Sequence, residues 1–230
     1  MEVLTICQEA PVTDDRAHEY RRITDDLADR FEGLFTRDEV DEIVADSRAQ
    51  LERTATIDTY LPVFVARFAK ERLGAAARDR GGSAKGVHRI LFVCNGNAGR
   101  SQMAAAFAEA VGGQAVIAAS AGINPMASLL PEVRTAMTEK GIELPEAFPK
   151  PVTREVTSAM EVVVGIGLTE QELPEAQQVV TWDISAVVGR SPQEVRVARD
   201  DIEARVRDLI GDLVDDGELN HSSGDAHRSR

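Results

Sequence analysis

Between residues 15 and 77 apolar side chains return every three or four positions. Tyr20, Ile23, Leu27, Phe31 and Leu34 form one such stripe, the mark of a helix with one buried face. Gly33 predicts its stop. Thr36-Arg37-Asp38-Glu39 then forms a capping box, the Thr hydroxyl taking the Glu39 amide and the Glu carboxylate reaching back. The helix that follows turns Val40, Ile43, Val44 and Leu51 inward. A third begins near Asp58 or Thr59, tolerates Pro62 in its first turn, and carries Leu61, Phe64, Val65, Phe68 and Leu73. Three such helices make a small bundle with little core of its own. It needs another surface, either the rest of the chain or a second copy.

The texture changes at residues 78–87, where Arg78–Gly86 is polar and glycine-rich and predicts a linker. Beyond it, short apolar runs alternate with helical stripes. His88–Val93, Gln114–Ala119, Glu161–Ile166 and Gln178–Trp182 predict strands. One helix carries Met103, Ala104, Phe107 and Val111. Another, with Val133 and Met137, is bracketed by Pro131 and Gly141. A third opens on a second capping box, Ser191-Pro192-Gln193-Glu194, and lines up Val195, Ile202, Val206, Leu209, Ile210 and Leu213. The alternation predicts an α/β domain over residues 88–214, a doubly wound four-stranded parallel sheet, preceded by an all-α three-helix bundle over residues 15–77. Residues 1–14 and 215–230 are expected to be flexible tails.

Composition narrows the partners. The chain has 26 Lys and Arg against 39 Asp and Glu, a net charge of −13, and the excess is spread along it. No basic stripe offers a nucleic-acid surface, and an anion site must be built locally. No apolar run approaches a membrane span. The N-terminus lacks the basic and apolar regions of a signal peptide. Two cysteines, Cys7 and Cys94, are too few for a disulfide framework, so a cytoplasmic setting is expected. His18, His88, His221 and His227 show no metal-ligand spacing, and no metal or bound cofactor is expected.

One segment carries chemistry: Val93-Cys94-Asn95-Gly96-Asn97-Ala98-Gly99-Arg100-Ser101, between the first strand and helix of the sheet domain. The carboxyl end of a strand is where open α/β sheets bind ligands. Gly96, Ala98 and Gly99 let the backbone curl so that its amides form an anion nest, reinforced by a helix N-terminus. Arg100 can place a bidentate fork on two anion oxygens. Such an environment favours the thiolate form of a cysteine. Ser101 can donate to that sulfur, and Asn97 can hold the loop. A cysteine at a strand end is, by itself, more often a buried core residue followed by a tight glycine turn. Cys-x5-Arg-Ser between a strand and a helix is more specific and points to Cys94 as nucleophile, with Asn95–Arg100 as the oxyanion cradle.

Val93–Ala104 resembles the active-site loop of the low-molecular-weight protein tyrosine phosphatase superfamily, and Asn-Ala-Gly-Arg-Ser-Gln-Met-Ala resembles its arsenate reductase branch. Ser120-Ala121-Gly122, Pro131, Met137, Gly141-Ile142 and Trp182-Asp183 extend the similarity over residues 88–212. The first 80 residues resemble the three-helix domain ahead of some actinobacterial arsenate reductases, which implies a homodimer through the bundle. The resemblance implies catalytic Cys94, Arg100 and Ser101, and arsenate or a phosphate-like oxyanion as ligand.

Two departures shape the functional reading. The family places a general acid in an Asp-Pro pair, and that pair aligns with Ala186-Val187. Asp183 precedes the acid position. Glu170, Glu172 and Glu175 are the nearby carboxylates. The family's glycine-flanked cysteine after the third strand aligns with Leu168, so an internal thiol relay is short of thiols. The resemblance then implies a small external thiol, mycothiol, as cosubstrate, with a redoxin as a further partner. Weak phosphatase activity and non-catalytic oxyanion binding are the alternatives left open.

Overall fold

The computed structural model describes residues 13–53, 60–81, 87–145 and 147–222. Helices α1 (Thr13–Arg30), α2 (Arg37–Glu52) and α3 (Leu61–Gly81) form the bundle. The first capping box closes as expected: Thr36 Oγ1 accepts from the Glu39 amide, and the Thr36 amide donates to Glu39 Oε2 at 2.7 Å. Tyr20, Leu27, Val40, Val44, Leu51, Val65, Phe68 and Leu73 are buried between the helices, and Phe148 from the second domain joins them.

The second domain runs β1 (His88–Cys94), α4 (Arg100–Gly112), β2 (Val116–Gly122), α5 (Pro131–Thr138), α6 (Arg154–Ser158), β3 (Val162–Ile166), β4 (Gln178–Trp182) and α7 (Pro192–Ser222). The four strands are parallel in the order β2-β1-β3-β4. Connections therefore leave β1 to opposite sides, and the crevice where they diverge lies at its carboxyl end. Alternation along the strands sorts the side chains. Ile90, Phe92, Val162, Val164 and Ile166 face α4, α5 and α7. Leu91, Val93 and Val163 face the other way, onto Val156, Ala159, Met160 and Ala75. Ala75 belongs to α3, so the bundle helps to cover one face of the sheet.

Several boundaries differ from the sequence reading. Residues 78–81, taken as linker, are the last turn of α3. Arg80 holds that turn: it donates to the Leu34 carbonyl, pairs with Glu39 at 2.8 Å and lies 4.2 Å over the Phe35 ring. Thr13 and Asp14, taken as tail, open α1, and α7 continues through residues 215–222. The short α6 has no apolar stripe long enough to announce it. Asp58 and Thr59, the expected start of α3, lie outside the described residues, as do Cys7, residues 82–86 and residues 223–230.

Candidate active site

Cys94 ends β1 opposite Gly122 of β2, and Asn95–Gly99 arch from it to the start of α4. The segment after β2 runs beside the arch and takes its carbonyls. The amides of Ile123, Asn124, Met126 and Leu130 donate to the carbonyls of Cys94, Asn95, Gly96 and Ala98 at 3.1, 2.8, 2.9 and 3.0 Å. No amide of Asn95–Arg100 is a donor in these bonds. With its carbonyls turned outward, the loop directs N–H groups to its other side, beside the uncapped first turn of α4. Two glycines make the approach possible. A Cβ on Gly122 would stand 2.9 Å from the Asn95 carbonyl oxygen, and one on Gly99 2.6 Å from Val187 Cγ2.

Asn97 is the described non-glycine residue with positive φ, at 46°. Asparagine tolerates that region, and a network fixes it there. The Lys150 amide donates to Asn97 Oδ1 at 2.9 Å, which settles the side chain's orientation because an amide N–H can only donate. Asn97 Nδ2 then donates to Ser101 Oγ at 2.9 Å. Ser101 Oγ in turn lies 3.0 Å from Cys94 Sγ, in hydrogen-bond contact with it. Gln102 completes the support, its Nε2 donating to Asn97 O and Oδ1 at 3.1 Å and to Phe148 O at 2.9 Å. Cys94, Asn97, Ser101 and Gln102 are all buried.

Arg100 departs from the simplest expectation. Its Nη1 donates to the Ile184 carbonyl at 2.7 Å. That bond ties the loop to the residues after β4 and leaves Nε and Nη2 for a ligand. The guanidinium lies against Gly167, whose φ is +64° and where an added Cβ would collide with Nη1. Ile184 and Val187 thus both touch the loop, through Arg100 and Gly99. Ala186, where the sequence reading expected the family acid to be replaced, lies between them and is exposed. Asp183 is also exposed and borders, with Ala186, Arg190 and Glu194, a cavity of about 370 Å³ beside α7. Glu170, Glu172 and Glu175 are exposed, and Glu172 caps Thr169 with two bonds of 2.8 Å. Leu168 packs beneath the sheet with Leu173.

Sequence reasoning missed Gln102, Lys150 and Gly167. A lone glutamine among Met103, Ala104 and Ala105 hints at a buried polar role, and Gly165-Ile166-Gly167 hints at a close approach after β3. Gln102 reaches Phe148 across 46 residues, Lys150 reaches Asn97 across 53, and Gly167 meets Arg100 from farther still, beyond local patterns. Among the described residues no cluster of three or more His, Cys, Asp or Glu could hold a metal, and no helix is long and apolar enough to cross a membrane.

A Halobacterium salinarum protein named for arsenate reduction is 34% identical over 140 residues, covering 58% of this chain and 99% of that protein. The structure of a thioredoxin-dependent arsenate reductase of Corynebacterium glutamicum superposes with a TM-score of 0.77 at 31% identity, covering 86% of this chain and 98% of that one. An arsenate reductase in its phosphate-binding state gives 0.51 at 25% identity over 55% and 98% of the two chains. Residues 20–77 match the N-terminal domain described as protein-tyrosine-phosphatase-like. Residues 89–218 match the low molecular weight phosphotyrosine protein phosphatases, and the chain belongs to that family.

Proposed function

We propose that the protein is an arsenate reductase in which the Cys94 thiolate attacks arsenate held by the Asn95–Arg100 loop and an external thiol completes the reduction. The observation that carries this reading is an intact Cys94–Ser101 loop flanked by a methyl group at Ala186 in place of a carboxylic acid. Ester hydrolysis needs a proton for the departing alcohol, and losing a general acid costs about 10²–10⁴-fold. Arsenate exchanges its oxygens readily and expels only water or hydroxide. The loop amides and the free edge of Arg100 hold the anion's oxygens while sulfur approaches arsenic.

In the first step a Cys94 S–As bond forms and one arsenic oxygen leaves, protonated to water. The sulfur of a small thiol then displaces Cys94 from arsenic, returning the thiolate. A second thiol attacks the sulfur of that adduct. Arsenic gains two electrons to become arsenite, and the two external thiols become one disulfide. Both come from outside because Cys94 is the free cysteine among the described residues, and the chain holds only one other. Mycothiol is the proposed carrier, with a redoxin as its recycling partner. The C. glutamicum protein is described as thioredoxin-dependent, so both thiols belong in the test. We further assign the homodimer contact to the three-helix bundle. A single-chain mass in light scattering would remove it.

Arsenite release is measured with mycothiol plus redoxin and with thioredoxin, beside para-nitrophenyl phosphate hydrolysis on the same sample. Thiol-dependent arsenite formation, lost in Cys94→Ser, with feeble ester hydrolysis is the expected result. Fast ester hydrolysis without arsenite would make the protein a phosphatase. Binding without turnover in any assay would leave an oxyanion binder.

A further inference from the structure

A chain with net charge −13 concentrates cations in one cleft. The cleft lies between α1, α3 and the segment 147–150, and encloses about 540 Å³. Arg30, Arg67, Lys70, Arg78 and Lys150 line it against one carboxylate, Glu71, which Lys150 Nζ engages at 3.0 Å. Arg67, Lys70 and Arg78 share a stripe of α3 with Gly74, which also lines the cleft. The glycine keeps the floor open. A Cβ there would stand 3.4 Å from Arg78 Nη1.

Arg30 and Lys70 are exposed and make no ion pair among the described residues. The Nε of Arg78 is buried without a hydrogen-bond partner among them. Burial and the neighbouring Arg89 both push the Arg78 guanidinium below its usual range, opposed by Glu71. Like charges gathered in a half-enclosed cleft repel, and a buried donor without a partner is costly. A bound anion relieves both. The cations on α3 span about 16 Å, at 1.5 Å per residue from 67 to 78. A single tetrahedral anion reaches one or two of them, whereas a chain of phosphates touches several. The Phe148 ring stacks on Phe64 at 5.1 Å, and Lys150 Nζ lies 4.9 Å over it, so the cleft favours charge over ring stacking.

We propose that this cleft is a second anion site, distinct from the Cys94 loop, that takes a small polyanion of the polyphosphate class. Its wall is the segment that fixes the active-site loop: Phe148 O accepts from Gln102, and the Lys150 amide holds Asn97. An anion seated on Lys150 therefore bears on the support of Cys94.

The test is calorimetric titration of the full chain carrying Arg100→Ala, which weakens the Cys94 loop's grip, with inorganic tripolyphosphate at low salt. One-to-one binding is expected, weaker with added salt, and about tenfold or more weaker after Lys70→Glu or Arg30→Glu. Both positions are exposed, and unchanged melting temperatures check that the variants fold. Absence of binding, affinity indifferent to both substitutions, or orthophosphate binding as tightly as tripolyphosphate would overturn the proposal.

Discussion

Gly167 holds no reacting atom, yet Arg100 depends on it. The guanidinium occupies the space where a side chain would be, and φ of +64° already disfavours any L-residue. Gly167→Ala is expected to displace Arg100 from the Ile184 carbonyl and lower arsenate turnover by about 10²-fold, the scale of a misplacement near 1 Å. A near-normal melting temperature with that loss would place the effect at the site; unchanged turnover would show that Arg100 does not need this berth. Cys94, Arg100 and Ser101 could be singled out as candidates in the sequence because they fall within eight consecutive residues of a specific pattern. Gly167 and Lys150 were not, because each acts on the loop from a segment that only folding brings near, and the bond from Gln102 to the Phe148 carbonyl exists only in the fold.

At the scale of elements, Arg72 joins three helices. It is 4% exposed on α3 and reaches Glu155 on α6 at 2.9 Å, Asp46 on α2 at 2.7 Å and Ser47 at 3.0 Å. Asp46 and Glu155 still reach water, at 51% and 29% exposure, so Arg72→Ala loses the charge-assisted bonds without burying a lone charge and is expected to cost about 1.5–3 kcal/mol in denaturant unfolding. A cost below about 1 kcal/mol would make the pair ornamental. Burial pushes the Glu155 carboxyl up, but its contacts with Arg72, its own backbone amide and Thr153 together outweigh that and leave it below the ordinary range. Arg196, then Arg199, hold Glu139 down to about 2, against a smaller opposing effect of desolvation. Groups depressed in the fold stabilise it above their unfolded pKa, and that contribution fades as pH falls. Melting temperature is therefore expected to drop steadily from about pH 4.5 towards 2, and a flat profile there would contradict it. All four strands and both capping boxes were readable from period and side-chain chemistry. The end of α3 was not, since Arg80 stabilises a glycine-rich turn through contacts with Leu34, Phe35 and Glu39 that the local composition does not show.

The whole molecule is less divisible than its two family matches suggest. Phe148 of the α/β domain sits in the bundle's core, and Ala75 of α3 sits beneath the sheet. The same Phe148 offers its carbonyl to Gln102, so bundle packing and loop geometry meet in one residue. A bundle that served only to pair two chains could be removed at little cost to the enzyme. One that roofs the sheet cannot: removing residues 1–81 uncovers Phe148, Val156 and Met160, each worth about 1.5–3 kcal/mol when fully buried. The truncated protein is expected to melt well below the full chain and to lose arsenate turnover even at concentrations where both are monomeric. Equal melting temperatures and equal turnover per chain would instead make the bundle an appendage, and the contacts of Arg72 and Phe148 incidental to the Cys94 loop.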